Sequence, residues 1–172
     1  MAKITLQELE ALLNAGERQF KGCDLSGLDL SSTLLKLNKA DLSEANLSLT
    51  NLSNASLIGA NLFSANLNGA NLSNAILTGA NLSKATLVKA ILRQANLSQV
   101  NLIDGDLAGA DLTEAILKDT ILHRVALVGI KLTGSDLNFA DLSGRDLSLA
   151  GLSHANLRGA KLVSTRLSEA DL

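Results

Sequence analysis

The sequence predicts a solenoid, a chain wound into stacked coils around one apolar axis. Three observations predict it. From Leu42 to Leu172 a leucine falls on every fifth residue without a miss. Two positions before it stands a small residue, most often alanine, as in Ala60-Asn61-Leu62 and Ala80-Asn81-Leu82. The chain holds no proline, which fits coils joined by backbone hydrogen bonds, because a missing N–H would break the ladder.

A period of five suits neither common element. On an α-helix five residues advance about 500°, so successive leucines would step around the cylinder and leave no apolar stripe. On a flat strand an odd period sends alternate leucines to opposite faces. The spacing therefore requires a backbone that bends once per pentad and turns each leucine inward. With the leucine called i, position i−2 is the second inward site, and a narrow axis explains its small side chain. Positions i−1, i+1 and i+2 are mostly Asn, Asp, Ser, Gly, Lys and Glu and are expected to face water. The composition is 47% hydrophobic but only 2% aromatic, so the core is a sum of many similar aliphatic contributions. Each buried leucine is worth roughly 1.5–3 kcal/mol before entropy is subtracted.

The tandem Ala-(Asp/Asn)-Leu-x-x units, such as Ala60-Asn61-Leu62-Phe63-Ser64 and Ala110-Asp111-Leu112-Thr113-Glu114, resemble the pentapeptide-repeat family. The resemblance spans roughly Phe20 to Leu172. It implies an all-β solenoid, a right-handed quadrilateral β-helix with four pentads per coil, and a bacterial, especially cyanobacterial, source.

Two regions make up the chain, an N-terminal helical cap over 1–17 and the repeat region over 18–172. In the first, Thr5 followed by Glu8 reads as a capping box. Leu6, Leu9, Leu12 and Leu13 recur at helical spacing and Gly16 is a stop signal. The spacing predicts a short amphipathic helix from about Leu6 to Ala15, its apolar side covering the first coil. The alternative is a membrane-surface or partner helix, and for the membrane only Lys3 and Arg18 serve as flanking cations. No apolar stretch at the start reads as a signal peptide, so a cytoplasmic location is expected.

Phe20, Leu25, Leu30 and Leu35 keep a period of five, but in a register two residues out from the series at Leu37. An insertion therefore lies within Ser31–Lys36, read as a bulged corner. Between residues 116 and 135 the pattern degrades: Ile116, Ile121 and Ala126 replace Asn or Asp at i−1, and Val125 and Ile130 replace Ala at i−2. Arg145 at an inward position is the largest anomaly. A buried guanidinium needs a partner, and the side chain is expected to escape toward a corner rather than sit on the axis, with Asp146 and Asp106 as the candidate partners.

No constellation for catalysis, cofactor or metal emerges. His123 and His154, the only histidines, follow no metal-ligand spacing. Cys23, the sole cysteine, occupies an inward small-residue position and reads as a buried thiol. The serines are copies of the repeat without a paired base. Net charge is −2, and residues twenty apart, assigned to one face, leave no face strongly negative. Asp104, Asp106, Asp111, Glu114 and Asp119 gather around one coil rather than along the rod. Neither direct nucleic-acid binding nor membrane binding is expected.

The function expected is a non-enzymatic rigid scaffold for protein–protein interaction. The alternative, implied by the resemblance, is a DNA mimic that inhibits or protects DNA gyrase, and the balanced faces stand against it. The outward apolar residues Val88, Ala108 and Val128 form one possible interaction strip. Ala170 and Leu172, on a last coil with exposed leucines and unpaired edges, form a second, and suggest an end-to-end homodimer.

Overall fold

The computed structural model describes residues 3–31 and 36–172. Its one helix, α1 (Leu6–Asn14), begins as the sequence predicts. The Glu8 amide donates to Thr5 Oγ1 at 3.2 Å, and the Thr5 amide donates to Glu8 Oε2 at 2.8 Å. Leu9 and Leu13 on its inner side join the core cluster.

The expectation of an all-β solenoid, a right-handed β-helix, is corrected here. Among the described residues no strand or sheet exists. Coils touch through isolated parallel bridges, one residue per pentad. The reason lies at position i+2, which adopts a left-handed conformation in pentad after pentad, with φ between 55° and 62° at nineteen non-glycine residues from Lys39 to Glu169. Only the residue at i−1 is bridged in each pentad before the chain turns at i+1 and i+2. A strand needs a longer run, usually about 5–6 residues. What winds around the axis is a succession of turns, not sheet-walled coils.

The register is nonetheless regular. From Lys36↔Ser56 to Gly151↔Asp171 the bridges join residues twenty apart, four pentads per circuit. Before that the offset is twenty-two, at Gln19↔Asp41, Asp24↔Asn46 and Asp29↔Asn51. The two extra residues therefore fall between Asp29 and Lys36. The bulged corner expected there, at 32–35, lies outside the described residues.

Where Asn stands at i−1, as in the pentad of Leu62, every backbone N–H finds an acceptor, as buried backbone requires. In the pentad of Leu62, the Asn61 amide donates down to Ala40 O, Leu62 up to Asn81 O, Ser64 up to Ser83 O, and Ala65 back to Leu62 O. The fifth, the Phe63 amide, donates to Asn61 Oδ1 at 3.3 Å. Asn and Asp at i−1 are therefore structural. They also stack coil on coil, Asn81 Nδ2 donating to Asn61 Oδ1 and Asn61 Nδ2 to Asp41 Oδ1. Within this frame every i-position leucine from Leu37 to Leu152 is at most 4% exposed.

Candidate functional site

The chain presents its outer residues in columns, because the twenty-residue register places like positions one above another. Val88, Ala108 and Val128 share such a column. The Lys89 amide donates to Ala108 O and the Gly109 amide to Val128 O, which fixes their stacking. Val88 and Ala108 are half-buried, while Val128 is 41% exposed. Below them the column opens into a shallow apolar depression lined by Leu49, Gly69 and Val88. Ala170 and Leu172 lie on the last coil, where Ala170 is half-buried and Leu172 is 75% exposed.

Charge is neutralised between neighbouring coils. Arg124 grips Asp104 with two bonds, Nε at 2.5 Å and Nη2 at 2.8 Å. Arg93 meets Asp111 at 3.4 Å, Lys161 meets Asp141 at 3.7 Å, and Arg166 meets Asp146 at 3.9 Å. The hydrogen bond from Arg124, helped by its charge, holds the Asp104 carboxyl below the usual range. Two members of the acidic band thus face cations from adjacent coils. Cys23 is half-buried, and burial raises its thiol pKa, so it is no thiolate nucleophile. Among the described residues no group of three or more His, Cys, Asp or Glu is placed to hold a metal ion. None of the described helices is long and apolar enough to cross a membrane.

One place departs from the repeat. The bridges that the register calls for between Ile121 and Asp141, and between Ala126 and Asp146, are not made among the described residues, although both pairs bridge normally to their other neighbours. The matching hydrogen bonds from the amides of Leu122, Arg124 and Leu127, and back from Asp141 and Asp146, are missing there as well. Two sides of one coil have parted from the next. Arg145 stands at this place, set over Val125 where many coils set alanine over alanine. Its guanidinium does not reach Asp146 or Asp106. Instead Nε donates to Ser143 O at 3.2 Å. In a regular pentad that carbonyl accepts from the i+2 amide of the coil below, here Arg124. The side chain thus takes over a ladder acceptor. The opening is a cleft of about 650 Å³, onto which Asp119, His123, Phe139, Asp141, Ser143 and Arg145 face. Sequence reasoning marked Arg145 and the irregular pentads but not the cleft that they make together.

The family model for pentapeptide repeats matches residues 19–172 in contiguous and overlapping segments, and the chain belongs to the pentapeptide-repeat family. Among curated proteins no sequence matches it. It is similar to HetL, a pentapeptide repeat protein involved in heterocyst differentiation regulation from the cyanobacterium Nostoc sp. strain PCC 7120. Identity is 29% over 98% of this chain and 95% of that one, with a TM-score of 0.42. It is also similar to trypsin-treated QnrB1, a plasmid-mediated fluoroquinolone resistance protein. There identity is 18% over 99% of this chain and 79% of that one, with a TM-score of 0.66, a likeness of fold alone. The chain's polar side chains recur with the repeat, two or three to most pentads.

Proposed function

We propose that the protein works as a rigid platform for protein–protein interaction, with the Val88–Ala108–Val128 column as its contact strip and the 1–17 region as the cap of the repeat region, 18–172. The observation that carries this reading is the register. Coil-to-coil hydrogen bonds hold apolar groups from successive coils in one line, the arrangement a partner can bury. A double substitution, Val88→Glu with Ala108→Glu, tests it. Both side chains point outward, so the fold survives. Capture of a partner from lysate by the unmodified chain, lost in the double variant, supports the strip. Equal capture by both removes it, and turnover of a small molecule without any partner removes the scaffold reading.

A second reading has its own observation. The rod superposes over nearly its whole length on a protein that confers fluoroquinolone resistance, and this favours a gyrase-directed role more specifically than the period of five favours any one partner. The cross-coil ion pairs weigh against mimicry of DNA, which needs uncompensated negative charge. Supercoiling by purified gyrase, with and without a fluoroquinolone and an excess of the protein, decides it. An unchanged rate in both arms removes this reading. A cytoplasmic location and pairing of two copies through the coil of Ala170 and Leu172 complete the proposal. A sedimentation coefficient that stays monomeric at rising concentration excludes the pairing.

A further inference from the structure

We infer that the cleft between the parted coils is a binding site for a small zwitterion, an α-amino acid with an apolar side chain. Three features of the cleft select that chemistry. The first is Arg145. One of its N–H groups is held by Ser143 O, which aims the planar head while leaving its terminal nitrogens available. Among the described residues it has no ion-pair partner. A guanidinium so placed takes a carboxylate by paired hydrogen bonds. Amides released from the ladder at Leu122 and Asp141 add donors of the same kind.

The second feature is the pair Asp119 and Asp141 on the same cleft. Asp119 forms no ion pair among the described residues, and Asp141 has only the exposed Lys161 at 3.7 Å. They offer acceptors for an ammonium group. With Asp141 paired to Lys161, the cleft presents one unpaired carboxylate, Asp119, and one unpaired guanidinium, Arg145. That balance suits a ligand carrying one charge of each sign. The third feature is Phe139, whose ring is 70% exposed at the cleft beside Ile121. An apolar ligand side chain would cover both. The volume, about 650 Å³, falls in the range of about 300–1,000 Å³ usual for small-molecule sites. Binding of this ligand needs no partner protein and stands apart from the interaction strip.

The test is a titration of the full ¹⁵N-labelled chain, followed by amide shifts, with three probes: L-leucine, 4-methylpentanoate, which lacks the amine, and isoamylamine, which lacks the carboxylate. The expected result is saturable movement of the Leu122, His123, Asp141 and Ser143 amides with L-leucine, and at least about tenfold weaker binding of either single-charge probe, a difference of about 1.4 kcal/mol. Arg145→Met keeps the side-chain length without the charge, and Asp119→Asn removes one carboxylate. Each is expected to weaken L-leucine about tenfold while the shifts of the distant Leu62 and Leu82 stay in place, showing that the fold is intact. Equal binding of either single-charge probe overturns the zwitterion assignment. L-leucine shifts that fail to saturate, or that survive both substitutions, overturn the site.

Discussion

At the scale of single residues, two positions of the pentad carry conformational work that hydropathy does not show. The i+2 residue sits at positive φ, and no Val, Ile or Thr occupies that position in any regular pentad from Lys39 to Glu169. β-Branched side chains tolerate this region worst. Gly79 isolates the effect, since φ is +67° and a Cβ built there meets nothing within 4 Å. Gly79→Val is therefore expected to cost about 1–2 kcal/mol from backbone strain alone. Gly79→Asn should cost much less, because asparagine visits that region. Urea midpoints of the two variants check the difference, and equal midpoints would show that the turn does not require the conformation. The i−1 aspartates make a second residue-scale prediction. Asp29 accepts from the Ser31 hydroxyl at 2.6 Å and from its amide at 3.1 Å, and Asp146 accepts likewise from Ser148. Those hydroxyls first, then the amides, hold both carboxyls below the ordinary aspartate value of 3.8. A depressed native pKa stabilises the fold fully above the unfolded value, and the contribution is lost as pH falls through the native values. Stability should hold flat above about pH 5 and decline below about pH 4. Unfolding midpoints measured down that range check it, and an alkaline decline without an acid one would contradict it.

At the scale of elements, the helix and the pentad differ in how much of each could be read in advance. Helix α1 is a local object. Thr5 and Glu8 define its start whatever lies beyond, so spacing alone located it. Thr5→Ala removes the cap acceptor and is expected to cost about 1 kcal/mol, seen as lower helical signal and earlier release of the first coil in hydrogen exchange. The inward leucines and alanines were legible for a similar reason, because one periodicity admits one inside. The i−1 asparagines were not. A polar residue next to a buried one reads as water-facing, and only the twenty-residue register brings Asn61 onto Asp41 and Asn81 onto Asn61. The sheet expected from the family resemblance failed at this scale too, since left-handed turns every five residues leave room for single bridges only. Asn71→Ala tests the structural role. It orphans the Ser73 amide, which donates to Asn71 Oδ1 at 3.1 Å, and removes the Nδ2 bond to Asn51. The expected loss is about 1–3 kcal/mol, and a loss near zero would return the position to mere solvation.

At the scale of the whole molecule, the coils form a nearly one-dimensional array in which each touches only its neighbours, so stability is passed along by interfaces. One weakened interface then divides the array. Between the pentads of Ile121 and Ala126 and those of Asp141 and Asp146 two of four bridges are absent among the described residues, while the sides at Ile116↔Asp136 and Lys131↔Gly151 still join. The leucines on both sides remain buried, so the parting is confined to the wall and to the inward neighbours of Arg145. The coils below the cleft and those above it should accordingly open as separate cooperative units, since the free energy of local opening falls where buried contacts and ladder bonds are fewest. In native-state hydrogen exchange, the amides of Leu122, Arg124, Leu127, Asp141 and Asp146 are expected to exchange fastest among inward and ladder positions of the middle coils. Leu82 and Leu102, whose amides donate to Asn101 O and Ile121 O, should exchange only with the lower unit as a whole. Arg145→Ala restores the small residue of the repeat, frees Ser143 O for the Arg124 amide and lets the wall close. Those five amides should then become protected, and the two units should merge into one transition with a higher midpoint. If Arg145→Ala leaves their exchange unchanged, the bulk of that side chain does not hold the coils apart, and the degraded pentads of 116–135 must do so instead.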